Sequence, residues 1–258
     1  MNTHDTCKRA GMALRQQGHG CRGFSLVELM VGILISLFLV AAMILMYLSA
    51  QRSYTDQDRL AQMQDSQRLA LSMLGAIISH AGYVPPSQAD DAAAAFTPLS
   101  LTASDGRMLS FGAGSFLTGA GKSTDDSSDV VSVRYLSSAS EGLMDCTGSG
   151  ADKTPRLMTS TFSVTTSGQL LCTTGTGTAV ELIDGLGRLK VRLGVDMDLD
   201  GSVDTYLTPD DVAKAGLWPR VYSVRLALYF IDTTSPTPAQ IRLWPNPVVH
   251  TIALGNRS

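Results

Sequence analysis

The sequence predicts an α+β fold in which one long N-terminal helix lies on an antiparallel β-sheet. Two patterns carry that prediction. An apolar run at Phe24–Leu48 leads into apolar residues that recur at steps near 3.6 as far as Ile78. From Val131 onward the recurrence changes to every second residue, the period of a strand with one face in a core. Composition excludes several classes at once. With 258 residues, 44% hydrophobic and a net charge of −3, the chain is neither collagen-like nor wholly disordered, and it is not a basic nucleic-acid binder. Four His and four Cys leave little material for a histidine-built catalytic or zinc site.

The first element is the apolar run. FSLVELMVGILISLFLVAAMILMYL carries one charge, Glu28. At about 1.5 Å per residue a helix here reaches roughly 37 Å, enough to cross a hydrocarbon core of about 30 Å. It is too long for the h-region of a secretory signal, and the chain after it, Ser49-Ala50-Gln51-Arg52, continues helically. A buried soluble helix is the blander alternative, but apolarity on every side calls for lipid. Ahead of it Lys8, Arg9, Arg15 and Arg22 outweigh Asp5, so residues 1–23 carry +3 and the remainder −6. The positive-inside rule puts this arm in the cytoplasm and the C-terminal bulk outside.

At the junction stands Gly23-Phe24-Ser25-Leu26-Val27-Glu28-Leu29. These seven positions and the apolar run after them resemble the class III signal of type IV prepilins. The resemblance implies that a prepilin peptidase cuts between Gly23 and Phe24 and that Phe24 is methylated. Glu28 then becomes the fifth residue of the mature chain, and the partners are the peptidase, inner-membrane lipid and other pilins. A carboxylate in a bilayer costs about 2.5 kcal/mol or more, so its default reading is functional. Glu28 lies in a first helical turn, where the helix dipole favours negative charge, and a neighbouring subunit's Phe24 ammonium is its natural partner. The alternative is a Glu28 that sits at the interface and snorkels.

Leu60, Met63, Leu71, Leu74 and Ile78 continue the helix to about His80, with Gly82 and Pro85-Pro86 ending it. This gives a boundary at 24–83 with a transmembrane portion at 24–48. Residues 84–129 form a variable loop region, with one hairpin between Leu109–Phe111 and Phe116–Leu117. Residues 130–258 form the antiparallel β domain. Strands are expected at Val131–Tyr135, Leu189–Val195, Tyr222–Phe230 and Val248–Leu254, each with one face on the helix and one in water.

Two local clusters have chemistry of their own. Cys146 and Cys172 lie in turn-prone sequence on the oxidising side and read as a disulfide, with two free buried thiols as the alternative. Asp196-Met-Asp198-Leu-Asp200-Gly201-Ser-Val-Asp204 matches the opening of a calcium loop, whose alternate oxygens suit a hard cation. The twelfth position is Leu207 where a bidentate Glu belongs, and Asp210 or Asp211 is left to close the shell. A solvated Asp/Gly hairpin turn is the alternative. No G-x-S-x-G elbow, P-loop or clustered acid/base set is present, so no enzyme is expected, and no direct nucleic-acid site is evident.

Val180–Tyr206, Val221–Leu228, Gln67–Ala70, Ala81–Tyr83, Asp145-Cys146, Leu171-Cys172 and Thr251–Asn256 resemble the core of minor pilins of the PilW family. That resemblance implies a pilin-like fold. It also implies a low-abundance subunit that helps initiate or cap type IV pilus assembly, in support of adhesion, twitching motility or DNA uptake. The subunit would be inner-membrane and single-pass before assembly, with a periplasmic C-terminal domain, and pilus-borne after it. Rival readings are a minor pseudopilin of a type II secretion system and a membrane-tethered calcium-binding or adhesive module.

Overall fold

The computed structural model describes residues 25–86, 92–121, 126–152, 154–175, 177–231 and 243–255. The chain divides into two compact units, Met1–Tyr54 and Thr55–Ser258. Helix α1 is Leu26–Ser79. Within the first unit every described residue is exposed, which for so apolar a sequence means that its stabilising environment is not this chain.

Within the second unit α1 buries Ala70, Leu74, Ile77 and Ile78, the i, i+4, i+7, i+8 stripe of a helix lying on a core. Leu71 and Met63 pack at its margin, whereas Leu60, expected on the stripe, is exposed. The helix ends as its apolar period does. Ala81 N–H donates to Ile78 O in a tightened last turn, and Gly82 takes φ 77°, which a residue with a Cβ rarely adopts.

A single turn, α2 (Ala92–Ala95), precedes a hairpin of β1 (Leu99–Thr102) and β2 (Met108–Phe111). The expected hairpin therefore forms with the wrong partner: Leu109–Phe111 pairs upstream with β1. Leu117 belongs to β3 (Leu117–Ala120), which joins β4 (Val130–Ser137). Next come β5 (Arg156–Val164), β6 (Gln169–Thr174) and β7 (Ala179–Asp184), completing an antiparallel sheet in the order β3-β4-β5-β6-β7. Gly185, at φ 83°, turns the chain directly into β8 (Leu186–Val195). With β9 (Thr205–Leu207), β10 (Val221–Phe230) and β11 (Val248–Ala253) it makes a second antiparallel sheet, β11-β10-β8-β9. Between β9 and β10 lies α3 (Pro209–Ala215). Thr208 caps its N-terminus by accepting from Asp211 N–H, and Gly216 in the left-handed region closes it.

One core joins the α1 stripe to the inner residues of both sheets: Val131, Val133, Tyr135 and Phe162 from one, Leu189, Val191, Val224 and Leu226 from the other. Asp129 stitches the sheets together at their edge. Its N–H donates to Leu189 O, its Oδ2 accepts Val191 N–H, and its Oδ1 meets Lys190 Nζ at 3.0 Å.

The expectation of one wet face fails at β4, where all eight residues are buried. The β1–β2 hairpin covers the second face, with Leu101, Leu109 and Phe111 packed around Val130. Arg134 holds this cover down. It is fully buried, donates to Thr97 O at 2.6 Å and to Ser115 O, and lies 4.1 Å from the Phe111 ring centroid. No carboxylate pairs with it among the described residues. Burial lowers its pKa to about 10, which still leaves it charged at neutral pH.

Candidate functional site

The chemistry-bearing residues of the stem are few. Glu28 sits in the first turn of α1, and that turn is closed by Leu29 N–H donating to Ser25 O at 3.1 Å. Leu26, Phe38 and Met46, spaced around the helix, are each more than half exposed, and none of its most apolar stretch is buried. By length and composition this is the one described helix able to cross a membrane. Such a surface needs lipid or other apolar helices around it. An acid held there needs a cation or water. Gly23 and Phe24, the expected processing residues, lie outside the described residues, as do Cys7, Cys21 and Asn256.

Cys146 and Cys172 form a disulfide, with Cα atoms 6.3 Å apart and both residues buried. It ties the β4–β5 connection to β6. That connection is already shaped by Asp145, whose Oδ1 accepts N–H from Thr147 and Ser149, and by Tyr135, whose hydroxyl donates to Met144 O. Closing the loop between the cysteines contributes about 3 kcal/mol through the unfolded state.

The Asp196–Asp204 segment is the turn between β8 and β9, but it is not simply solvated. Asp196 is buried. Its Oδ1 accepts Leu199 N–H at 2.6 Å and its Oδ2 accepts Gly201 N–H at 2.9 Å, while Asp204 Oδ2 accepts Met197 N–H at 2.7 Å. Desolvation pushes the Asp196 carboxyl up, and the Gly201 and Leu199 amides with the Tyr222 hydroxyl outweigh it, so its pKa sits below the ordinary value. These bonds also hold Leu199 at φ 68°, a left-handed conformation that a leucine does not choose unaided. Carboxylate oxygens of Asp196, Asp198 and Asp204 lie within 4.8 Å of one another. Asp200 is not of that group and accepts from Ser202. Nor do the reserve acids close a shell: Asp210 takes Gly121 N–H, and Asp211 takes the Thr208 hydroxyl.

Residues 18–44 match the prokaryotic N-terminal methylation motif, and residues 145–240 match the family model for type IV pilus-assembly protein W, PilW. The first match spans the processing junction and Glu28, and the second contains both disulfide cysteines and the acidic turn. The two matches support a type IV pilin-like protein of the PilW family. No curated protein and no solved structure matches the chain. The two family matches support a pilin-related structural protein of the type IV pilus system, and the methylation motif with the apolar N-terminal helix supports membrane anchoring. The methylation motif implies a prepilin peptidase and other pilins as partners.

Sequence reasoning missed one feature of this pilin-like domain. The outer face of the β8–β11 sheet carries Arg188, Lys190 and Arg192 on β8 and Arg225 directly opposite Arg192 on β10, with no acid on those strands. Gly194 leaves the gap that lets the Tyr206 ring lie across β8. There the ring reaches Ser223 Oγ with its hydroxyl at 3.4 Å and stacks 3.5 Å below the Arg225 guanidinium. The available signal was the alternation itself, since the residues between the core positions of β8 are Arg188, Lys190 and Arg192.

The two described histidines do not assemble a catalytic group. His80 packs edge-on against Tyr135, and burial lowers its pKa, while the His250 ring lies beside Gly75. A cavity of about 640 Å³ bordered by Asp105, Arg107, Gly121 and Asp210 has its one guanidinium already spent on Asp105, Ala120 O and Ser128 O.

Proposed function

We propose that this chain is a minor pilin that helps initiate or cap type IV pilus assembly and has no catalytic activity. The supporting observation is the first turn of α1, where a single acid sits at the head of a helix that its own chain leaves uncovered on every side. Cutting between Gly23 and Phe24 frees an ammonium, and Glu28 of one subunit neutralises that of the next as their apolar helices pack. The +3 leader holds the N-terminus in the cytoplasm, and the disulfide belongs with a globular unit in the oxidising periplasm. Adhesion, twitching motility and DNA uptake are the processes such a filament serves.

The deciding experiment is the mature N-terminus of the protein extracted from membranes, combined with deletion of the gene. The expected result is a methylated phenylalanine at position 24 with loss of surface pili. Loss of secreted proteins with pili intact would move the subunit to a secretion pseudopilus. A protein still beginning at Met1 would remove it from filaments altogether.

A further inference from the structure

The four-stranded sheet is one-sided in its charge. Strands β8, β9, β10 and β11 carry three arginines and one lysine, all on one face, and no Asp or Glu. Residues 24–258 as a whole carry −6, so this face stands against the sign of the chain around it. A cationic face without acids of its own calls for carboxylates from elsewhere.

Part of that complement comes from the chain itself. Residues 126–129 run beside β8, where Asp129 N–H donates to Leu189 O and Ser128 Oγ accepts Leu189 N–H. From there Asp126 meets Arg188, and Asp129 meets Lys190, each at 3.0 Å. A short acidic segment thus occupies the first half of the basic row.

The row continues past it. Arg192 stands directly opposite Arg225, with Cβ atoms roughly 5 Å apart, and like charges so placed destabilise a sheet. Arg225 is nonetheless held in position. Its guanidinium carbon lies 3.5 Å over the Tyr206 ring, and its Nε donates to Thr251 Oγ1 at 3.3 Å. No carboxylate pairs with Arg225 among the described residues, and its two terminal nitrogens have no partner there. A planar fork fixed by a ring and a hydroxyl is preorganised for a bidentate oxyanion.

We infer that Arg192 and Arg225 seat an acidic segment of a partner polypeptide, continuing over the sheet what Asp126 and Asp129 begin. Charge complementarity selects the sign, and the chain's own acids show the class of group that this row accepts. Cations along β8 recur at every second residue, roughly 7 Å apart, the spacing of side chains on one face of an extended acidic strand. A nucleic acid fits less well. The Tyr206 and Tyr229 rings lie against the guanidiniums of Arg225 and Arg188, and so do not serve as platforms for stacked bases.

The test uses the full chain in phosphatidylcholine nanodiscs and three probes at matched ionic strength. They are a labelled peptide of alternating Asp and Ser, a labelled single-stranded oligonucleotide of equal charge, and phosphatidylglycerol vesicles. The peptide is expected to bind best, and more weakly as salt rises. Arg225→Gln is expected to cut that affinity at least tenfold. Arg225→Lys keeps the charge, loses the fork and should also bind more weakly than the native chain. Tyr206→Ala removes the ring beneath the fork and should weaken binding, whereas Tyr206→Phe should not. Arg156→Gln, on the other sheet, makes the same change in net charge and should leave the affinity unmoved. A melting curve for each variant separates lost binding from lost folding. No peptide binding by the native chain overturns the inference, as does unchanged affinity in a folded Arg225→Gln. An equal loss in Arg156→Gln reduces the effect to net charge and overturns it too. Tighter binding of the oligonucleotide or the vesicles reassigns the face to another class of partner. None of these readouts involves leader cleavage, so their failure leaves the minor-pilin reading standing.

Discussion

The stem, Ser25–Tyr54, and the globular unit, Thr55–Gly255, are stabilised in opposite ways. In the stem no described side chain is buried, and the backbone is satisfied by its own helical hydrogen bonds. In the globular unit even polar groups are enclosed: Arg134, Ser132 and Thr161 lie inside, the last two joined by a 2.7 Å hydrogen bond. The stem's partners are therefore outside the chain, in lipid and neighbouring subunits, whereas the globular unit supplies its own. Changes in the stem should alter processing and assembly and spare the melting of the globular unit. Changes in the globular unit should do the reverse.

The largest effect should come from Gly23→Val, which is expected to abolish leader cleavage and leave a heavier band on a gel. Glu28→Ala should still be cleaved while surface pili fall at least tenfold, with the melting transition of the detergent-solubilised chain unmoved. Wild-type piliation in that variant would break the contrast at its stem end. On the globular side, Cys146→Ala is expected to cost about 3 kcal/mol by removing the loop constraint. Arg134→Met should cost a similar amount, about 3 kcal/mol, because the carbonyls of Thr97 and Ser115 lose their donor. Limited proteolysis between β1 and β2 would report that loss, while cleavage at Gly23 continues.

Smaller effects sharpen the comparison within the globular unit. A Cβ at Gly194 would stand 2.2 Å from Ser223 Oγ and 3.1 Å from the Tyr206 ring, so Gly194→Ala should cost about 2 kcal/mol. Acid should act through two groups. His80 has a lowered pKa in the fold, so its contribution is complete above about 6.5 and declines as pH falls below that value. His80→Phe should flatten that part of a stability-against-pH curve. Asp196, also held below its ordinary value, contributes above about 3.9 and loses its effect only as pH falls through its folded value. Smallest of all is calcium. The turn is closed by its own amides, so the melting temperature should not move on adding calcium or a chelator, and a rise with calcium would assign an ion to Asp196, Asp198 and Asp204.

Much was legible in the chain. The helix over Leu26–Ser79 follows from apolarity and a 3.6 period, β8 and β10 from alternation, and the disulfide from two cysteines in turn-prone sequence after the apolar run. At the start of β10 the alternation misled, because the register shift between Val221 and Ser223 puts Val221, not Tyr222, in the core. Strands β5 and β6 gave little sign of themselves. Thr159, Thr161 and Ser163 fall in no expected strand, because their polar side chains show no apolar alternation and nothing local says that a hairpin will cover them.

Sequence alone determined where water is excluded by lipid, since a run of apolar residues needs no tertiary partner to be apolar. Tertiary structure decided which polar faces are also excluded from water. Arg134 is buried because β1 and β2 fold back over β4 and offer it carbonyls and a ring. Arg192 and Arg225 stand opposite each other because β8 pairs with β10 in that register. Periodicity records a residue's own preference for water, while burial depends on what distant segments bring to it.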